Sequence, residues 1–262
     1  MSNWIYPVGI LAHREIIQFF RDRARVFGSV VQVVGIWLIM GFGFQSSFTV
    51  PGTPVQDMGY IDYLFPGMLM LVVLFSAIFG SMSLVEDRQT GFLHAALIAP
   101  LPRSVLSLGT MAGGTLLAFA QAALLLLALP LTDLSPSLTE LLATMGILLV
   151  VSFTFTAVGS IFAWRVKTTR GFHAVMNVLL MPLWVLSGAL FPASGAHPVV
   201  RILININPVS YAVNALRTAL HPGSIPHVGM ATFGPSLAIT VGTALVIFLI
   251  ATIGMPRTLR TD

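Results

Sequence analysis

The sequence predicts an all-α membrane protein with six transmembrane helices. Six apolar stretches are each long enough to cross a bilayer core, which takes about 20 residues of helix. The loops between them carry Lys and Arg almost entirely on alternate sides. The chain is 56% hydrophobic and only 8% charged, against roughly 25% charged in soluble domains. The expected spans are Val26–Phe44, Tyr63–Val85, Val105–Leu129, Leu141–Ala163, Gly171–Phe191 and Pro235–Met255, none containing Lys, Arg, Asp or Glu. They leave little chain over, so one membrane domain covering 1–262 is expected, without a soluble domain.

The basic residues set the topology. Arg14, Arg21, Arg23 and Arg25 precede the first span. Arg88 and Arg103 follow the second, Arg165, Lys167 and Arg170 follow the fourth, and Arg257 and Arg260 follow the sixth. Eleven of the 13 Lys and Arg thus share one side, leaving only Arg201 and Arg217 opposite. Positive-inside bias puts both termini in the cytoplasm, in a cytoplasmic (inner) membrane. The first 25 residues lack a basic, then apolar, then small-residue pattern, so no signal-peptide cleavage is expected. The net charge of +4 fits topology and anionic headgroups rather than nucleic acid.

Element by element, residues 1–25 come first. On a helical wheel Ile16, Phe20, Ala24 and Phe27 share one face, and Arg14, Gln18, Arg21 and Arg25 the opposite one. This suits an amphipathic helix lying in the interface, apolar side in acyl chains and arginines at headgroups, with Arg23 snorkelling. A plain basic flank that only sets orientation is the alternative. After the second span, Glu86-Asp87-Arg88 opens a loop that continues through Gly91, Phe92 and Leu93 to Pro100 and Pro102. It is longer than a simple connection needs. Apolar residues rimmed by charge fit a docking surface, and equally a loop on the lipid surface.

Between the fifth and sixth spans, Pro192–Gly234 is too long for a tight turn and too apolar for a solvated loop. Pro198 suits the first turn of one short helix. Asn207 before Pro208 reads as an N-cap with proline at N1 of a second, running toward Leu220. Leu203, Ile206, Tyr211 and Leu216 would dip into the outer leaflet, where irregular backbone is tolerated against protein. Arg201 and Arg217 would meet headgroups or an anionic substrate, headgroup contact being the simpler reading.

Several of these segments resemble the integral membrane permeases of ABC-2 type exporters. They are Tyr63-Leu64-Phe65-Pro66-Gly67, Glu86-Asp87-Arg88-Gln89-Thr90-Gly91-Phe92-Leu93, Leu101-Pro102-Arg103-Ser104, Leu186-Ser187-Gly188-Ala189-Leu190-Phe191-Pro192, Asn205-Ile206-Asn207-Pro208-Val209-Ser210-Tyr211 and Leu216-Arg217. Their order and spacing run along essentially the whole chain. The resemblance implies that the loop after the second span is a cytoplasmic coupling helix seated in a cleft of an ATPase subunit. Glu86, Asp87, Arg88, Gly91, Phe92 and Leu93 would then make that contact. It implies a connecting helix at the N-terminus, with Arg14, Arg21 and Arg25. It also implies short re-entrant helices before the last span, and a dimer of permeases with two ATPase subunits. Asn177, Asn207, Tyr211 and Arg217 are candidates for a substrate path or external gate.

ATP chemistry is not expected in this chain. A P-loop needs a glycine-rich turn before Lys and Ser/Thr, and the one lysine, Lys167, has no such approach. If ATP drives the protein, a separate subunit must bind it; the resemblance implies a partner ATPase holding ATP and Mg2+, and the chain itself is not expected to be an enzyme. Cysteine is absent, the six histidines are scattered, and no metal site is expected. Intramembrane carboxylates are missing too, Asp62 and Glu140 lying only at span ends, which disfavours an ion-coupled carrier. Gly109 and Gly113, like Ser76 and Gly80, have the spacing of close helix packing within the chain, with dimer contacts second. Gln32, Gln121 and Asn177 are read as interhelical hydrogen-bonding groups, and Met68, Met70, Met176 and Met181 as packing. The favoured function is a permease subunit, with membrane lipids and a second copy as partners, exporting a drug, lipid or polysaccharide. An ion-coupled carrier or a non-transporting membrane scaffold is the alternative.

Overall fold

The computed structural model describes residues 5–21, 23–44, 59–91, 103–222 and 232–253. All regular structure among them is helical: α1 (Ile5–Arg21), α2 (Arg23–Phe44), α3 (Tyr60–Gln89), α4 (Arg103–Leu125), α5 (Leu138–Ala163), α6 (Thr169–Val185), α7 (Pro198–Ile206), α8 (Pro208–Leu220) and α9 (Phe233–Ile253). Short 310 turns follow α4 at Leu126–Leu131 and precede α7 at Ala193–Gly195.

α3 is the axis of the bundle. It packs against α2, α4, α5, α6 and α8, and from Tyr60 to Leu74 every side chain is buried. Small residues let its neighbours approach closely. A Cβ on Gly80 would lie 2.9 Å from Gly114 Cα on α4, and one on Gly67 would lie 2.7 Å from Ala189 Cβ. Ser76 Oγ donates to Gln121 Oε1 at 2.6 Å, so the α3–α4 seam also buries a polar pair. Gly109 and Gly113 face Leu11 and Glu15 of α1, so this glycine step packs within the chain.

Local sequence explains most boundaries. Ser137 and Glu140 form a reciprocal capping box at the start of α5. Thr168 Oγ1 accepts from the Gly171 N–H at the start of α6. His197 and Asn207 cap α7 and α8, each followed by proline at N1. α7 and α8 meet at 82°, the pair of short helices expected around Pro198 and Asn207.

Six spans are not reproduced in the described residues. Four helices are long and apolar enough to cross a membrane alone: α3, α4 with its 310 extension, α5 and α9; the bent α7–α8 pair makes a fifth if counted as one span. α2 contributes the shorter apolar stretch Val31–Phe44. The expected fifth span is cut short because α6 ends at Val185 after 17 residues. The next residues turn, and Gly188 adopts φ +73°, where a side chain would be strained. In the other direction α3 overruns its expected limits, taking Asp62 into its first turn and Arg88 into its last.

Candidate functional site

At the end of the bundle where most Arg and Lys lie, α1, the last turn of α3 and the α5–α6 turn come together. Arg14 is the link from α1. Its two terminal nitrogens donate to both oxygens of Asp87, at 2.7 and 2.5 Å. Asp87 is 5% exposed. This forked pairing is the strong form of a carboxylate contact, and Asp87 raises the Arg14 pKa against the opposing pull of burial.

The next residue turns the other way. Arg88 donates to the carbonyls of Ala163 and Trp164, at 3.1 and 2.9 Å, and to that of Val166 at 3.3 Å. These carbonyls end α5, where the helix leaves acceptors unmatched and favours a cation. Gln89 adds a bond from Nε2 to Lys167 O at 3.1 Å. Consecutive residues of α3 therefore hold α1 on one side and the α5–α6 turn on the other.

The charged triplet lies within the helix. Glu86, Asp87 and Arg88 do not open a loop; they complete α3. Asp87 is buried against Arg14, Arg88 is half-buried on the α5–α6 turn, and Glu86 is half-buried. Gly91 is exposed and left-handed at φ +80°. Phe92 and Leu93 lie outside the described residues. On α1, Arg21 is exposed, and the Arg25 side chain is outside the described set.

Of the face expected to meet acyl chains, the Phe20, Ala24 and Phe27 side chains lie outside the described set. Among the described side chains of α1, Ala12, Glu15 and Phe19 are buried, Ala12 and Glu15 against Gly113 of α4. Tyr6, Ile10 and Ile17 are exposed instead. Arg14 is paired rather than turned to headgroups, and Ile16 is only half-buried. Glu15 is the residue that sequence reasoning missed. It is 3% exposed, Gly113 gives it room, and Oε1 accepts no hydrogen bond among the described residues. Burial lifts its pKa to about 7, with Asp87 and Glu86 adding to the rise and Ser83 and Arg14 opposing it. Its only sequence signal is the glycine step on α4, since a wheel puts it beside Arg14.

At the far end, four of the segments quoted for the resemblance, at Tyr63–Gly67, Leu186–Pro192, Asn205–Tyr211 and Leu216-Arg217, converge on the turn after α6. Arg217 is 2% exposed, and Nη2 donates to Tyr63 O at 3.3 Å and to Gly188 O at 3.2 Å. Its guanidinium lies 4.2 Å from the Tyr63 ring centroid, and the Tyr63 hydroxyl donates to Gly188 O at 2.7 Å. The expected headgroup contact of Arg217 is therefore overturned: it is an internal tie. Asn207 joins the same turn, Nδ2 donating to Leu183 O and Leu186 O at 2.6 and 2.9 Å while Oδ1 caps α8. Trp184 Nε1 donates to Gly67 O at 2.8 Å, fastening the turn to α3.

The other candidates lie apart. The Tyr211 hydroxyl donates to Asn205 O at 2.8 Å, bracing α8 to α7. Asn177 is exposed on α6 beside Phe75 and Ile78. Arg201 is exposed and donates to Ala193 O and Ser194 O. Leu203 and Ile206 are exposed as expected, but Leu216 is in the core. Among the described residues no group of three His, Cys, Asp or Glu could hold a metal ion.

The fold and these two sites define a multi-pass, all-helical membrane protein whose spans are tied together at both ends. A model of the ABC-2 type transporter family matches residues 6–221. The chain belongs to that family, whose members are transport permeases that generally work with ABC ATPases. It is 25% identical over 252 residues to "Putative transport permease ycf38" of Cyanophora paradoxa, covering 94% of this chain and 85% of the relative. The protein of the same name from Porphyra purpurea is 25% identical over 224 residues, 81% of this chain and 73% of its own.

Proposed function

We propose that this permease is the membrane subunit of an ATP-driven exporter, working as a dimer with ATPase subunits that bind ATP and Mg2+. The observation that supports this reading is the pair of oppositely directed side chains at the end of α3. Arg14–Asp87 and Arg88 with the α5–α6 turn join three elements at one end of the bundle. A push on any of them reaches α3, and α3 touches most of the other spans. Closure of the ATPase dimer would thus tilt the bundle by shifting a population between two packings.

In this reading both termini face the cytoplasm, the membrane is the cytoplasmic (inner) one, and residues 1–262 act as a single domain. The segment at Gly91, Phe92 and Leu93 touches the ATPase, while Asp87 and Arg88 stiffen the elements behind it. The α7–α8 pair forms the re-entrant external gate, with Asn207, Tyr211 and Arg217 holding its shape. The cargo is amphiphilic or lipid-linked: a drug, lipid or polysaccharide.

Affinity purification from native membranes in mild detergent, with mass spectrometry and an ATPase assay, tests the proposal. A stoichiometric P-loop subunit should accompany the permease and be lost on substitution of Phe92 in a still-folded protein. Reproducible purification of the folded permease without an ATPase would refute it.

A further inference from the structure

Between α5, α6, α8 and α9 lies a hollow of about 250 Å3, apolar although Leu183 and Val209 at its wall hydrogen-bond to Asn207. Phe155, Val158, Leu183, Ala212 and Ile247 line it from the four helices. Three threonines also face it, yet each has already spent its hydroxyl donor one turn back along its own helix. Thr154 donates to Val150 O, Thr240 to Ser236 O and Thr243 to Ile239 O, all at 2.8 Å. A polar cargo would find no free donor here. Hydrocarbon is the chemistry the walls accept.

One end of the hollow meets positive charge. Thr154, Val158 and Ile161 form a stripe along one face of α5, and Ile161 belongs to the lining. Arg165 continues that stripe one turn on, and Nη1 reaches back to Ile161 O at 3.4 Å. Arg165 is exposed, as are Lys167 and Arg170 in the same turn. Cations at a membrane surface attract anionic headgroups by about 1 kcal/mol each.

We propose that the hollow holds one acyl chain of an anionic membrane phospholipid, whose phosphate meets Arg165. This rests on the multi-pass membrane reading and on neither ATP coupling nor cargo. A lipid seated there wedges α9 and α8 against α5 and would set how freely they move.

The test is electron paramagnetic resonance of the full-length permease in phosphatidylcholine nanodiscs doped with chain-labelled phosphatidylglycerol or phosphatidylcholine. The phosphatidylglycerol label should show an immobilised component at least threefold larger than the phosphatidylcholine label. Val158→Phe and Thr243→Phe, filling the hollow from two helices, should each reduce it at least threefold. Arg165→Glu should erase the preference between headgroups. Thr243→Val keeps the volume and should bind as the parent does. Equal signals from the two lipids would overturn the proposal. So would an immobilised fraction untouched by either filling variant, or filling variants that change only oligomeric size, which would mean a second copy occupies the hollow.

Discussion

Arg14 and Asp87 form a forked ion pair across 73 residues of sequence, joining α1 to the last turn of α3. The two partners are unequally buried: side-chain exposure is 30% for Arg14 and 8% for Asp87. Removing one is therefore not equivalent to removing the other. Arg14→Ala strands a buried carboxylate, whereas Asp87→Ala leaves a long side chain able to reach water. We expect Arg14→Ala to cost about 2–3 kcal/mol and Asp87→Ala about 1 kcal/mol. Thermal unfolding in detergent at constant salt checks the order, and equal losses would contradict it.

Glu15 should make stability depend on pH. Its folded pKa of about 7 lies above the ordinary 4.5, so between these values the folded state holds the extra proton. Stability is then fully present below pH 4.5, falls as pH rises through 7, and levels off above. The span is on the order of 3 kcal/mol. The groups facing Glu15 are Arg14 on its own helix and Ser83, Glu86 and Asp87 on α3. Glu15→Gln should flatten the profile between pH 5 and 8 and stabilise the protein at pH 8. An unchanged slope would locate the titration elsewhere.

Close packing of α3 on α4 predicts a contrast between two glycines. A Cβ at Gly80 meets backbone at 2.9 Å, while one at Gly146 meets nothing within 4 Å. Gly80→Ala should destabilise by about 1–3 kcal/mol through overpacking. Gly146→Ala, in the interior of α5, should be neutral or stabilise by about 0.5–1 kcal/mol. Melting temperatures of the two variants, measured side by side, decide it.

Asn207 uses all three of its bonds, and graded substitution separates them. Asn207→Asp keeps the acceptor that caps α8 but gives up the donors to Leu183 and Leu186. Asn207→Ala loses both, with the cap alone worth about 1 kcal/mol. Stability should fall in the order Asn, Ala, Asp, because Asp sets a buried carboxylate against the Leu183 and Leu186 carbonyls. Arg217→Lys should also be poorly tolerated, since an ammonium cannot reproduce a planar stack over Tyr63. A parent-like melting temperature for Arg217→Lys would show that the tie needs only a charge.

Much of this fold was legible, and the failures share a cause. The long spans, Pro198 in a first turn, the Asn207 cap before Pro208 and the glycine step on α4 follow from periodicity and local backbone chemistry. Arg217 and Glu15 were misread or missed because burial of a single ionisable group depends on partners far away in sequence. A carbonyl at Gly188 and a gap above Gly113 leave no mark beside the residues they serve. Asp87 and Arg88 were expected to open the loop after the second span. That α3 runs on to Gln89, turning one inward to α1 and the other to α5, depends on the helix phase at its final turn.

The central claim is that α1 and α3 move as one lever because Arg14 holds Asp87. Its most direct test is transport per ATP hydrolysed by the reconstituted permease–ATPase complex, comparing Arg14→Asp, Asp87→Arg and the double swap. We predict that each single reversal leaves ATP hydrolysis running while transport falls at least tenfold, and that the swap restores a large part of it. Single reversals that couple like the parent, or a folded swap no better than either alone, would contradict the account.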